Sequence, residues 1–283
     1  MCALLKKPER VKYGKGEITM QTRRKRPEWL HINKMIPNFL TIMAISAGMS
    51  AIRFGLEDRW EHAALAILAA AILDALDGRI ARILKGASKF GAELDSLSDF
   101  ISFGVAPAMM LYLWAMQDVG RFGWMLALLF SVCMALRLAR FNTMLEDEDL
   151  PPWTSNFFAG VPAPAAAGLV LMPMILSFQL GDDFFRSPVV VSIYLIVVSA
   201  LVVSSIPTFS FKKVKVPSKQ VVPLMIVAGA FFTALVSAPW TTLSCVLIVY
   251  LATIPFSVKT YRKRMAEEPV RTAERDDSDN PEN

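Results

Sequence analysis

Long apolar stretches recur along this chain from about residue 35 to residue 258, separated by short polar gaps. At about 1.5 Å of helix per residue, stretches of ~20 residues match the ~30 Å hydrocarbon core of a bilayer. The pattern predicts spans near 35–55, 61–84, 91–116, 122–144, 158–180, 188–206, 220–237 and 240–258. The predicted fold class is therefore all-α: a polytopic integral membrane helical bundle of about eight transmembrane helices. Two polar segments flank it. Residues 1–34 carry ten Lys or Arg, including Arg23, Arg24, Lys25 and Arg26, and no apolar core of a cleavable leader follows. Beyond the bundle domain, 35–260, residues 261–283 are polar and expected to lack regular structure.

Charge then orients the bundle. Arg79, Arg82, Lys85 and Lys89 crowd the gap after the second span. Lys212, Lys213, Lys215 and Lys219 fill the gap after the sixth, and Lys259, Arg262, Lys263 and Arg264 follow the last. The alternate gaps hold only Arg59, Arg121 and Arg186 clearly. Lys and Arg mark the cytoplasmic side of short loops, so both termini are expected to face the cytoplasm, as in a bacterial inner membrane. The net charge of +5 follows this rule and gives no reason to expect a nucleic-acid partner. Cys2, Cys133 and Cys245 have no metal spacing, and His31 and His62 sit near span edges. None of these five is assigned chemistry.

One stretch breaks the apolar pattern where two spans meet. Residues 74–99 read DALDGRIARILKGASKFGAELDSLSD, with acids at Asp74, Asp77, Asp95 and Asp99. An ionised Asp costs roughly 2.5–3.5 kcal/mol at the centre of a membrane helix, so such a group needs partners or a wet cavity. Asp74 and Asp77 are i,i+3 and Asp95 and Asp99 are i,i+4, so each pair lies along one helical face. Lys85 to Phe90 is predicted as the turn between two antiparallel helices. With the turn centred near Ala87, Asp77 lies ~15 Å before it and Asp95 ~12 Å after it. The pairs thus reach similar depth. Four converging carboxylates suit hard divalent cations, and would repel one another without one.

The spacing D-x2-D-G-x2-A-R-x8-G-x3-D-x3-D, from Asp74 through Gly78, Ala81, Arg82 and Gly91 to Asp99, resembles the signature of the CDP-alcohol phosphotransferases. Eight fixed residues make a chance match on the order of 10⁻⁹ per start site. Three further stretches are similar to the membrane-type phosphatidylserine synthases within that family. They are Ile36–Thr41 (IPNFLT), Arg137–Asn142 (RLARFN) and Phe158–Ala167 (FAGVPAPAAA), with Ser205–Lys212 beside them. The resemblance implies two divalent ions, Mg²⁺ or Mn²⁺, held by Asp74, Asp77, Asp95 and Asp99, with Asp99 also the general base. It implies CDP-diacylglycerol contacts at Asn38, Thr41, Gly78, Ala81, Arg82 and Gly91. Arg137 and Arg140 are then candidates for an acidic group of the acceptor, L-serine, and a homodimer among membrane lipids is implied as well. Other acceptors, namely glycerol 3-phosphate, inositol phosphate or choline, share the nucleotide half of the motif. Intramembrane acids also serve cation-coupled transporters, which would not need the glycine and Ala-Arg framework.

Overall fold

The computed structural model describes residues 32–84, 88–146, 157–204, 207–209 and 221–278. Most of the basic segment 1–34 lies outside these residues. The chain begins with α1 (Ile32–Leu56) and α2 (Trp60–Ile83), which pack along each other more extensively than any other pair of elements. Asp58, with φ at 56°, makes the tight turn between them. Next come α3 (Lys89–Asp99), a π-helical segment Phe100–Val105, and α4 (Ala106–Leu111). A second π segment, Tyr112–Met116, and a short 3₁₀ turn to Val119 complete this third span. The remaining helices are α5 (Arg121–Glu146), α6 (Ala163–Leu180), the single turn α7 (Asp182–Phe185), α8 (Pro188–Val203), α9 (Val221–Ser237) and α10 (Pro239–Ser278). Two three-residue strands, β1 (Phe157–Ala159) and β2 (Pro207–Phe209), pair antiparallel.

Five helical stretches are long and apolar enough to cross a membrane: Met35–Leu56, Lys89–Val119, Arg121–Thr143, Ala163–Leu180 and Pro239–Thr260. The shorter α8 and α9 are apolar throughout. At 24 residues α2 is long enough, but Asp74, Asp77, Arg79 and Arg82 charge its second half.

Four predicted boundaries are corrected. Ser88 caps α3 by accepting a hydrogen bond from the Gly91 N–H, so Lys89 and Phe90 are helical rather than part of the turn. The predicted fifth span loses its first residues to β1 and to an extended approach ending at Pro162, because Pro162 and Pro164 delay the helix. The sixth ends at Val203, before β2. The C-terminal tail, expected to be irregular, continues α10 to Ser278. Ala266, Glu267, Glu268, Arg271, Ala273, Glu274 and Arg275 are strong helix formers, and their preference outweighs Pro269.

The core lies where the third span, α5, α6 and α8 meet, around the fully buried Phe103, Met110, Phe130, Met134, Leu169, Met174 and Leu195. Pro173 lacks the N–H that would bond the Leu169 carbonyl one turn back. The Tyr194 hydroxyl of α8 donates to that carbonyl at 2.8 Å, which ties α8 to α6. The third span is locked to α1 in the same manner. Ser98 and Ser102 donate to the Thr41 and Ala44 carbonyls, at 3.4 and 3.1 Å. Gly48 permits this approach, because a Cβ there would lie 2.6 Å from Ser102 Oγ. The axial position of the α3 acids is thereby fixed by α1.

Candidate active site

Three of the four acids converge. One carboxylate oxygen from each of Asp74, Asp95 and Asp99 lies within 4.8 Å of the others. Asp74 comes from α2, and the other two occupy successive turns of α3. Among the described residues no Lys or Arg forms an ion pair with any of them. Asp99 Oδ1 is buried without a hydrogen-bond partner. An all-oxygen donor set with an unsatisfied buried carboxylate oxygen fits a hard divalent cation, which would also relieve the mutual repulsion. Asp77 stands beside this group, near enough to act electrostatically on Asp74 and Asp95. It is buried, and the Thr41 hydroxyl lies 2.7 Å from its Oδ2.

The residues expected around a nucleotide fall into two sets. Gly78 is exposed, and a Cβ there would meet nothing within 4 Å, so the space over the acids is open on that side. Gly91 meets Asn38: a Cβ would fall 2.9 Å from Asn38 Oδ1, so only glycine lets the start of α3 approach α1 this closely. Ala81 is half-buried and Arg82 exposed, with Arg82 Nε donating to the Gly78 carbonyl at 2.9 Å. Thr41 is engaged within the fold. It is 4% exposed, and its hydroxyl is engaged by Asp77 and the Pro37 carbonyl. Its hydroxyl thus ties Asp77 of α2 to α1.

The two arginines of α5 also separate. Arg137 is 6% exposed, and its Nε and Nη1 have no hydrogen-bond partner. It lies within electrostatic reach of Asp99. A buried guanidinium with unused donors is costly unless an anion completes it. Arg140 Nη2 instead donates to the Ser204 carbonyl at 3.2 Å, fastening the end of α5 to the end of α8. The structure thus distinguishes the two arginines: Arg137 has unused donors, and Arg140 has a bond within the fold.

Sequence reasoning missed three supports of this site. Asn142 Nδ2 donates to Ser96 Oγ at 2.9 Å, joining α5 to the turn that carries Asp95. Ser98 and Ser102 hold the same span against α1. The π turn opens directly after Asp99. The i,i+4 serines 98 and 102 were the available signal for the second; a π turn leaves no comparable pattern.

Residues 34–204 match the family model described as CDP-alcohol phosphatidyltransferase, and residues 219–255 match CDP-alcohol phosphatidyltransferase 2. The chain belongs to the CDP-alcohol phosphatidyltransferase family. The matched segment contains all four acids, both α5 arginines and the α1 contacts. Among curated relatives, a Mycobacterium bovis CDP-diacylglycerol–serine O-phosphatidyltransferase is 40% identical over 229 residues, 81% of this chain and 80% of its own length. Proteins of the same name from Helicobacter pylori and Bacillus subtilis are 35% and 38% identical over 217 and 178 residues. Those alignments cover 77% and 63% of this chain, and 88% and 92% of the relatives. In this family member the acid cluster gathers oxygen groups that could hold a metal ion.

Proposed function

We infer that this protein transfers a phosphatidyl group from CDP-diacylglycerol to L-serine, giving phosphatidylserine and CMP. The convergence of Asp74, Asp95 and Asp99 beside the partner-free donors of Arg137 carries the reading, and the names of the relatives supply the acceptor. Asp74, Asp77, Asp95 and Asp99 would hold the divalent ions, Mg²⁺ or Mn²⁺. Bound there, the cations supply neutralising charge for the diphosphate and for the departing CMP.

The protein's own groups do the rest. The diphosphate would enter at the open face at Gly78, beside Arg82, and Ala81, Asn38 and Gly91 are its further proposed contacts. Asp99 accepts the proton of the serine hydroxyl as its oxygen bonds to the β-phosphorus and the bond from that phosphorus to the CMP oxygen breaks. Arg137 pairs with the serine carboxylate through its free N–H groups. No covalent enzyme intermediate is required.

The proposal places the protein in a bacterial-type inner membrane with eight spans, counting α2, α8 and α9 with the five longer stretches. The termini and acid cluster then face the cytoplasm, and the family resemblance implies a homodimer. The basic segment 1–34, the bundle 35–260 and the tail 261–283 remain its proposed divisions. Impermeant thiol labelling at Ala87→Cys and Ser218→Cys, in a cysteine-free background, should report one shared side; opposite sides would remove the eight-span topology.

The deciding experiment is an acceptor screen on the purified protein in detergent with CDP-diacylglycerol and Mg²⁺ or Mn²⁺. CMP release should require serine and cease with EDTA. Release that depends instead on glycerol 3-phosphate, inositol phosphate or choline would keep the chemistry and replace the acceptor.

A further inference from the structure

At the end of the bundle away from the acids, a cavity of about 380 Å³ opens between the start of α2, the third span and the end of α6. Trp60, Glu61 and His62, the first turn of α2, form one wall. Trp114 and Ser177, 3% and 5% exposed, form the floor. Trp60 lies fourteen residues before Asp74, ~21 Å along the helix, so this cavity is separate from the acid cluster.

Two kinds of donor in the cavity lack acceptors. No side chain caps α2, and the backbone N–H groups of Trp60, Glu61 and His62 bond to nothing among the described residues. Helical bonding starts only with the Ala63 N–H, which donates to the Arg59 carbonyl at 3.0 Å. The start of a 24-residue helix thus offers three open N–H groups and the positive end of its dipole. The other donor is the indole N–H of Trp114. It is neither bonded within the described residues nor sealed in the core, so its opening is the cavity that Trp114 lines. A buried indole N–H calls for an acceptor, and with the helix terminus it makes an anion site. Acids stand around it. Asp58 and Glu61 line the cavity, and neither forms an ion pair among the described residues, whereas Arg59 is committed to Glu57 and Asp182 to Arg186. The Ser177 hydroxyl donates to the Met174 carbonyl at 2.8 Å, which leaves its oxygen as an acceptor. A bare anion would meet these carboxylates unfavourably. A zwitterion satisfies both sets.

We propose that this cavity binds the phosphate ester of an amino alcohol, either as the zwitterionic head group of an aminophospholipid or as the free ester. The phosphate sits on the α2 terminus and the Trp114 N–H. The ammonium reaches Asp58 and Glu61, beside the rings of Trp60 and Phe178, which favour a cation over their faces. A further carboxylate on the ligand, as in a phosphoserine head group, would face Asp58 and Glu61 and be rejected. The preferred head group therefore differs from that of the product inferred above. The assignment is independent of the transferase reading, because it uses none of that site's residues.

The test uses the full-length protein in detergent with EDTA, so that no metal at the acids competes for phosphate esters. Isothermal titration with sn-glycero-3-phosphoethanolamine should show saturable binding. The phosphoserine and phosphoglycerol analogues should bind roughly tenfold or more weakly, the cost of a repelled or missing charge. Trp114→Phe keeps a ring and removes the donor, and should weaken binding roughly ten- to a hundredfold. Asp58 has a φ of 56°, which asparagine also accepts, so Asp58→Asn keeps the turn and removes the charge. It should erase the preference for the ethanolamine ester over the glycerol ester and leave CMP release unchanged. In parallel, native mass spectrometry follows protein taken from vesicles of equal phosphatidylethanolamine and phosphatidylglycerol. Ethanolamine lipid retained by the parent and lost from Asp58→Asn assigns the cavity to a lipid; saturable titration alone assigns it to the free ester. Absence of both signals overturns the proposal, as does equal binding of all three esters by the parent and Asp58→Asn. A parent that binds but releases no CMP would sink the transferase reading and leave this one standing.

Discussion

The two polar ends of the bundle treat charge in opposite ways. At the end where α1 meets α2, Arg53 and Arg59 both reach Glu57, at 2.9 and 3.5 Å. The Arg53 hydrogen bond, chiefly, holds the Glu57 carboxyl below its ordinary value. Nearby, Arg186 pairs with Asp182 at 3.4 Å and donates to the Trp114 carbonyl at 2.9 Å. Arg59 and Arg186 also lie over the Phe54 and Trp114 rings. These charges are matched locally and exposed. At the other end Asp74, Asp95 and Asp99 crowd together without a described cation, and Arg137 is buried with donors unused. Both ends carry acids and arginines in the sequence. What separates a structural charge from a chemical one is whether the fold itself completes it.

That contrast can be broken most severely at Asp99. Asp99→Asn keeps the shape and removes the base, so kcat should fall by about 10²–10⁴-fold. Isothermal titration should still find CDP-diacylglycerol bound in the presence of Mg²⁺. Asp74→Asn should instead weaken Mg²⁺ and nucleotide together. Near-normal turnover of Asp99→Asn would transfer the role of base to another group.

The arginines of α5 place both kinds of charge on one helix. Arg137→Leu should lower kcat/KM for serine roughly ten- to a hundredfold, as expected for a charged hydrogen bond worth about 1.5–3 kcal/mol. Arg140→Leu should leave the serine KM near that of the parent and lower the thermal midpoint, since it releases α8 from α5. If the two variants behaved alike in steady-state kinetics, the separation drawn from their hydrogen bonds would be wrong.

A smaller effect is expected at Thr41. Thr41→Val keeps the volume and deletes the hydroxyl on Asp77, so the Mg²⁺ concentration for half-maximal activity should rise ~10-fold, as for other groups that orient metal ligands. Thr41→Ser should restore it. The smallest effect belongs to the other end: Arg53→Ala should alter neither turnover nor melting temperature measurably, because its pair with Glu57 is exposed. A catalytic loss there would erase the distinction between the ends.

Much of the site was legible because the helix period is rigid. The i,i+3 and i,i+4 acids, with a turn near the middle, had to meet at one depth, and Asp74, Asp95 and Asp99 do. Gly91 and Asn38 were both marked, but their mutual contact was not, since it depends on how α1 crosses α3. Arg137 and Arg140 looked equivalent at i,i+3 spacing. Only burial and the Ser204 carbonyl, 64 residues away along the chain, tell them apart. Span limits failed where proline intervened, at 162 and 164, and where good helix formers carried α10 past the membrane. The π turns after Asp99 were invisible, because hydrophobicity reports which face is buried and not how many residues make a turn.

The brevity of α8 and α9 has a consequence for the surrounding lipid. At 16 and 17 residues they measure ~24 and ~26 Å, whereas a bilayer's hydrocarbon layer averages ~30 Å. On the proposed eight-span topology, tilting helices this short would deepen the mismatch, and thinning of the bilayer beside them is one way to accommodate it. Nearly every residue of α9 is exposed, so such thinning would fall on lipid rather than on neighbouring protein. The membrane next to this bundle would then be a shallower medium than the membrane at large, with head groups nearer the depth of the acid cluster.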